Sequence, residues 1–286
     1  NPGFGGFNKT TGATTIAGNV YDTAAVWALV RQGDGKTIVA GDFYLNGGGG
    51  VVYRSLARHN ANDTMDTGWN PLVDGQVVTA ALSGNTVLIG GSFTAVGATS
   101  RANLAAVDLT TGLATSFNAN VNGIVNTVVV DGTNAYIGGQ FTQVGGTGRN
   151  FIAQISATTG ALGGWYPAGG VGDFVEAIAV DASNVFVGGL FNSIGGVTRF
   201  NLAKVSKATG IVDGTWNPGT DEKVFDLTLS GTTLYVSGNF HTLGGVTRNF
   251  TGAVTTSTGA VTTWNPDPDY IVLKVKPYDA NTVYIA

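Results

Sequence analysis

The chain has 286 residues, a net charge of −4 and 11% charged residues, less than half the share usual in soluble domains. A domain of this length can bury about 75% of its unfolded surface, and low charge with many Val, Ile and Phe is the reverse of a disordered composition. No basic cluster points to nucleic acid and no apolar run reaches the roughly 18 residues of a membrane span, so neither partner nor insertion of that kind is expected; without cysteine, disulfides and thiolate chemistry are excluded.

In chain order, the first phrase is Phe4–Gly12, which aligns with Leu104–Gly112 further on. Residues 1–20 therefore read as the third and fourth strands of a repeat whose first two do not precede them. After that the repeat is complete. A phenylalanine closing a glycine phrase falls at Phe43, Phe93, Phe141, Phe191 and Phe240, spaced 50, 48, 50 and 49 residues apart. An arginine follows at Arg54, Arg101, Arg149, Arg199 and Arg248, then an aromatic at Trp69, Phe117, Trp165, Trp216 and Trp264. Three markers in five ordered copies define a true internal repeat.

Each period reads as four short strands. In the second copy these are Gln76–Ser83 with alternating apolar residues, Thr86–Phe93, Asn103–Asp108 and Leu113–Asn118, with Thr94–Ala102 as a longer loop. The turns at Gly84, Asp131-Gly132, Asp181–Asn184, Ser230-Gly231 and Asp279–Asn281 use residues that tolerate positive φ. Four antiparallel strands every 40–50 residues is the signature of a β-propeller blade. The paired glycines suit a close approach of neighbouring backbones, and the recurring Phe and Trp suit gap-filling between adjacent sheets.

The last phrases, Tyr270–Lys276 and Thr282–Ala286, read as first and second strands without a sequel. The expected architecture is an all-β, six-bladed propeller in a single domain, with blades at 21–70, 71–120, 121–169, 170–219, 220–268, and 269–286 joined to 1–20. Strands from the two ends would share one sheet and close the ring, removing exposed edges. The alternative is a stretch of a longer array.

Gly188, Gly189 and Phe191, then Gly195, Gly196 and Arg199, then Leu202-Ala203, Thr209-Gly210 and Trp216-Asn217-Pro218 together resemble the delta-60 type propeller repeats of bacterial secreted and surface proteins. Val26–Phe43, with its Gln32–Phe43 phrase, also matches, with Ala40 in place of one glycine. The resemblance spans essentially the whole chain. It implies export to the cell surface or medium and carries no agreed activity. A weaker likeness to quinoprotein-type repeats rests on Ala106, Asp108, Thr111 and Gly112, but the following aromatic is displaced and no residue set suits a redox cofactor.

Catalytic chemistry finds little material. The two histidines, His59 and His241, occupy unrelated repeat positions and suit structural roles; a triad base or a zinc site would need more. A paired-carboxylate glycosidase would have to rely on Asp, since the glutamates are only Glu176 and Glu222. Acids do recur in the links between blades: Asp22, Asp74, Asp173, Asp221, Asp267 and Asp269. If these ring the channel mouth, they would hold a hard cation such as Ca²⁺ or a cationic partner; as solvated loops they would bind nothing. The expectation is a non-catalytic extracellular or surface module without a cofactor, binding a protein or glycan partner on the face of the inter-blade loops. A structural subunit of a surface assembly and a carbohydrate-active or cofactor-dependent enzyme are the alternatives.

Overall fold

The structure, a computed structural model, describes residues 5–7, 14–17, 25–46, 51–279 and 281–286. Among them every regular element is a β-strand. The chain divides into two compact units, one comprising residues 1–134, 144–146 and 155–162, the other residues 135–143, 147–154 and 163–286.

In the first unit, Ala25–Arg31, Thr37–Asn46 and Val52–His59 form one antiparallel sheet in chain order. Gln76–Ser83, Thr86–Ser92 and Leu104–Asp108 form a second. The central strands carry buried apolar runs, Ile38–Ala40 in the first sheet and Val87–Ile89 in the second, as strands covered on both faces require. Ile38 and Leu56 pack with Val77, Val87, Ile89, Ala105 and Trp69 in one core between successive sheets. The second unit repeats the plan with Val175–Val180, Asn184–Gly189 and Leu202–Ser206, then Val224–Ser230, Thr233–Gly238 and Thr251–Thr255.

The terminal phrases pair as expected within themselves. Gly5–Phe7 pairs with Thr14–Ala17, and Val275–Pro277 pairs with Val283–Ile285. Phe4 and Asn8 lie outside the described residues.

Two readings need correction. The expected fourth strand, Leu113–Asn118, is not a strand: it meets Leu104–Asp108 at one bridge, Val107 to Ala114, and the same single bridge recurs as Val205 to Val212 and Val254 to Val261. The physical reason lies in the repeated arginine. Arg101 donates to the carbonyls of Thr115 and Phe117, 2.8 and 2.7 Å away. Arg199 and Arg248 reach the equivalent carbonyls of Asp213 and Thr262, each at 2.7 Å. Guanidinium donors thus replace part of the strand ladder. Second, the loop after Phe93 contains a small ribbon, Ala95–Val96 against Thr99–Ser100, repeated at Ser193–Ile194 with Val197–Thr198 and at Thr242–Leu243 with Val246–Thr247. Its turns use the left-handed glycines Gly195-Gly196 and Gly244-Gly245, a hairpin signal in the sequence.

The packing roles of the markers hold. Phe43, Phe93, Phe141, Phe191 and Phe240 are all buried. The Trp69, Trp165 and Trp216 indoles are buried too, and each donates its Nε1–H to a carbonyl at the end of the next repeat's third strand: Asp108, Ser206 and Thr255, at 3.0, 2.9 and 3.1 Å.

Candidate functional site

Entry into each first strand is bent by a β-bulge at one fixed place: between Val26 and Ala28, Val77 and Thr79, Val175 and Ala177, and Val224 and Asp226. The second glycine of the phrase lies opposite. A Cβ on Gly189 would sit 2.1 Å from the Phe174 carbonyl, and one on Gly91 would sit 2.0 Å from that of Gln76. Bulge and glycine together place the preceding link beside the loop that follows the second strand.

The described link acids sit in that region but at four different positions. Asp74 and Asp221 are equivalent, each three residues before the bulge valine. Asp74 Oδ1 accepts the backbone N–H groups of Thr94 and Ala95 at 2.8 and 2.9 Å; Asp221 Oδ1 accepts those of His241 and Thr242 at 2.9 and 2.8 Å. Partial burial opposes ionisation of both. The hydroxyl of Thr94 and backbone bonds outweigh it at Asp74, and backbone bonds from Thr242 and His241 do so at Asp221, so both carboxyls fall below the usual carboxylate range. Of the two repeats between them, one has Asn122 at that position and the other Gly172, where a Cβ would meet the Ser193 hydroxyl at 2.6 Å; there the acid comes one residue later as Asp173, which accepts the Phe174 N–H at 2.8 Å. Asp267 lies elsewhere, on a left-handed backbone (φ 49°) shared with Leu72, Asn120 and Gly219, and accepts from Asn249 Nδ2 at 2.8 Å. Asp269 is exposed. Asp22 lies outside the described residues. Among the described residues no three His, Cys, Asp or Glu side chains are grouped as metal ligands.

The repeated arginines Arg101, Arg149, Arg199 and Arg248 donate to backbone carbonyls, while Arg54 donates to the Tyr44 hydroxyl. Arg199 is 5% exposed, donating to Thr198 and Asp213. The histidines are set apart: buried His59 has its Nδ1 3.2 Å from the Asp63 carbonyl, while His241 stands edge-on to Phe250 with centroids 5.0 Å apart.

What sequence reasoning missed lies between two of the acids. Phe200 is 55% exposed and Leu190 43% exposed. Phe200 separates two clefts. One, about 340 Å³, is lined by Asn217, Pro218, Asp221 and Thr242; the other, about 390 Å³, by Asp173, Leu190 and Asn192. Phe200 lines both, and no Lys or Arg lines either. The ring stands on a fixed backbone, because the Phe200 carbonyl accepts the N–H groups of Leu202 and Thr220 at 2.7 and 3.2 Å. The signal was present in the repeat. The residue after the arginine is Ser55, Ala102, Asn150 and Asn249 in other copies, and the residue before the marker Phe is Asp42, Ser92, Gln140 and Asn239. Only this copy is apolar at both positions.

Stacked three-stranded antiparallel sheets at a fixed period, locked by interleaved aromatics, are the β-propeller fold. Comparison agrees. Residues 32–68 match a family model described as a domain of unknown function (DUF5122) beta-propeller. A chain of the mitotic checkpoint complex is similar at 14% identity, with 98% of this chain and 77% of that one covered and a TM-score of 0.64. The Pan2 WD40 domain of Neurospora crassa is similar at 8% identity, with 88% and 68% covered and a TM-score of 0.55. The extracellular domain of BT4673 from B. thetaiotaomicron is similar at 14% identity over 93% of this chain and 38% of that one, with a TM-score of 0.52. No curated protein matches the chain significantly. The chain is a β-propeller repeat protein by fold, and these distant likenesses go no further than that.

Proposed function

We propose that the protein is a non-catalytic β-propeller module, acting outside the cell or on its surface, that binds a protein or glycan partner on the face carrying Asp173, Leu190, Phe200 and Asp221. The observation that carries this reading is Phe200: an aromatic ring held on a rigid backbone, exposed between two polar-rimmed clefts where other repeats have Ser, Ala or Asn. Apolar anchors on fixed backbone lose little entropy on binding and are where interface energy concentrates. A hard cation on the link acids is the alternative ligand class. The test is to screen peptide and glycan arrays with the wild-type chain and with Phe200→Ser/Leu190→Gln. Ligands retained by the wild type should be lost from the variant; an unchanged set would refute this face.

The architecture that presents this face is, in the same reading, six blades closed by the chain ends, each blade being three strands edged by the aromatic segment. The described part of each unit leaves apolar side chains uncovered toward its chain end: Trp27 and Leu29 on one face of Ala25–Arg31 in the first, Leu273, Tyr284 and Ile285 in the second. A shared terminal blade would cover both. The chain has no cysteine, so spin labels at Phe7→Cys and Tyr284→Cys report one pair only. A single short distance in dilute monomer supports closure. A long or broad distribution in monomer, or a short one that appears only in dimers, favours self-assembly through these faces.

A further inference from the structure

We infer that the paired clefts recognise a cationic segment of a partner protein, with a Lys or Arg side chain laid on the Phe200 ring and its charge directed to Asp173 or Asp221. The inference deepens the binding-face reading and rests on it. Three observations select this chemistry. The clefts flank one aromatic face, and each contains a carboxylate. Neither contains a basic residue that would neutralise it; of the cations beside them in sequence, Arg199 is buried with its two terminal nitrogens on carbonyls, and Lys223 pairs with Glu176 at 2.6 Å. Leu190 and Pro218 line the clefts beside Phe200, giving the methylene stem of Lys or Arg an apolar track while its head reaches the acid. An aromatic face attracts such a cation, the more so when it is partly desolvated.

The Asp221 charge is also durable. The two backbone N–H donors to Asp221 hold its carboxylate ionised well into acid, although burial opposes this. The net charge of −4 adds a weak long-range pull on a basic partner. A neutral sugar could also stack on Phe200 and donate its hydroxyls to these carboxylates, but it would leave their charge uncompensated, which a Lys or Arg would not.

The experiment measures binding of an acetylated and amidated Gly-Arg-Gly-Arg-Gly peptide by calorimetry at low salt. A Gly-Glu-Gly-Glu-Gly peptide and cellotetraose serve as comparisons. The Arg peptide should bind at least about tenfold tighter than the Glu peptide and weaken as salt is raised. Phe200→Ser should weaken it about fivefold, Phe200→Trp should preserve it, and Asp173→Asn should weaken it by a similar factor. Both positions are at the surface, and melting curves confirm that the variants fold. Arg-peptide binding that neither Phe200→Ser nor Asp173→Asn alters overturns the inference. Cellotetraose binding that depends on Phe200, without Arg-peptide binding, overturns the cationic ligand but leaves the binding face standing. If no probe binds in a Phe200-dependent way, both fall.

Discussion

Asn201 has a left-handed backbone (φ 62°) at the position where the chain leaves the buried Arg199 and enters the third strand. Its side chain closes two bonds, accepting the Phe191 N–H and donating to the Thr220 carbonyl, each at 3.0 Å. Asn201→Gly keeps the backbone comfortable but loses both partners in a buried setting, costing about 1–3 kcal/mol. Asn201→Ala adds the left-handed penalty of about 1–2 kcal/mol, so chemical denaturation should rank wild type above Gly above Ala. Lys204 raises a different issue. Its buried ammonium lies 2.7 Å from Asp213 Oδ2, reaches the carbonyls of Thr256 and Ser257, and faces the Trp216 ring. Burial pushes the Asp213 carboxyl upward, but Lys204 and the N–H groups of Thr215 and Trp216 outweigh it and hold the carboxyl far below the ordinary range. A group depressed in the folded state gives its full stabilisation above the unfolded value near 3.9 and loses it as pH falls toward the folded one. The wild type should therefore lose stability between neutral pH and about pH 2 more steeply than Asp213→Asn does. At pH 7, Asp213→Asn should cost about 3 kcal/mol, because it strands a buried ammonium. Lys204→Met should cost less, since Asp213 keeps its backbone donors. Equal losses from the two substitutions would contradict this account.

The paired glycines serve two separate needs at the level of the strand. The second lies opposite the bulge, where a Cβ would strike a carbonyl. The first faces the neighbouring repeat: a Cβ on Gly188 would lie 2.6 Å from Val224 Cγ1, and one on Gly90 would lie 2.8 Å from Val125 Cγ1. Gly188→Ala should cost about 1–3 kcal/mol by overpacking, and Val224→Ala should recover part of that in the double variant, a coupling read from denaturation midpoints. Additive losses would mean that the glycine serves the strand alone. The close approach was legible because Gly in a strand weakens it and so demands a reason. The strand limits Gln76–Ser83 were equally legible, from alternation ending at Gly84. The fourth strand was not. Leu113–Asn118 has the composition of a strand, but its pairing is decided by Arg101, whose side chain lies more than ten residues away in sequence. No local pattern encodes a guanidinium taking two carbonyls from a ladder. The Gly-Gly turns at Gly195 and Gly244 were legible, but two-residue ribbons are too short to show alternation.

Over the whole molecule, the period made the fold readable, because every copy restates the same packing markers and chance differences average out. The site follows the opposite rule. It lies where one copy departs from the others, at Leu190 and Phe200, so a reading built on what recurs passes over it. The acids show the same effect. Counted along the sequence they form a regular series, yet Asp74 and Asp221 share one backbone position, Asp173 stands one residue later, and Asp267 occupies the left-handed turn after a proline. A cation site needs six to eight oxygens converging at 2.3–2.6 Å for Ca²⁺. Here Asp74 and Asp221 each commit one oxygen to two backbone N–H groups, and a carboxylate already holding its own loop gains less from a metal. Extracellular calcium modules bind at about 10⁻⁴–10⁻³ M, so 10 mM Ca²⁺ on such a site would add about 1.4–2.7 kcal/mol. In a chain of this size that is a rise of about 3–10 °C in melting temperature. The expected result is no shift with Ca²⁺ and none with chelator. Raised salt should instead weaken the binding of basic peptides, because charge and the Phe200 ring, rather than a bound metal, do the recognising. A clear Ca²⁺-dependent rise would return the link acids to the role of ligands and leave Phe200 as their neighbour only.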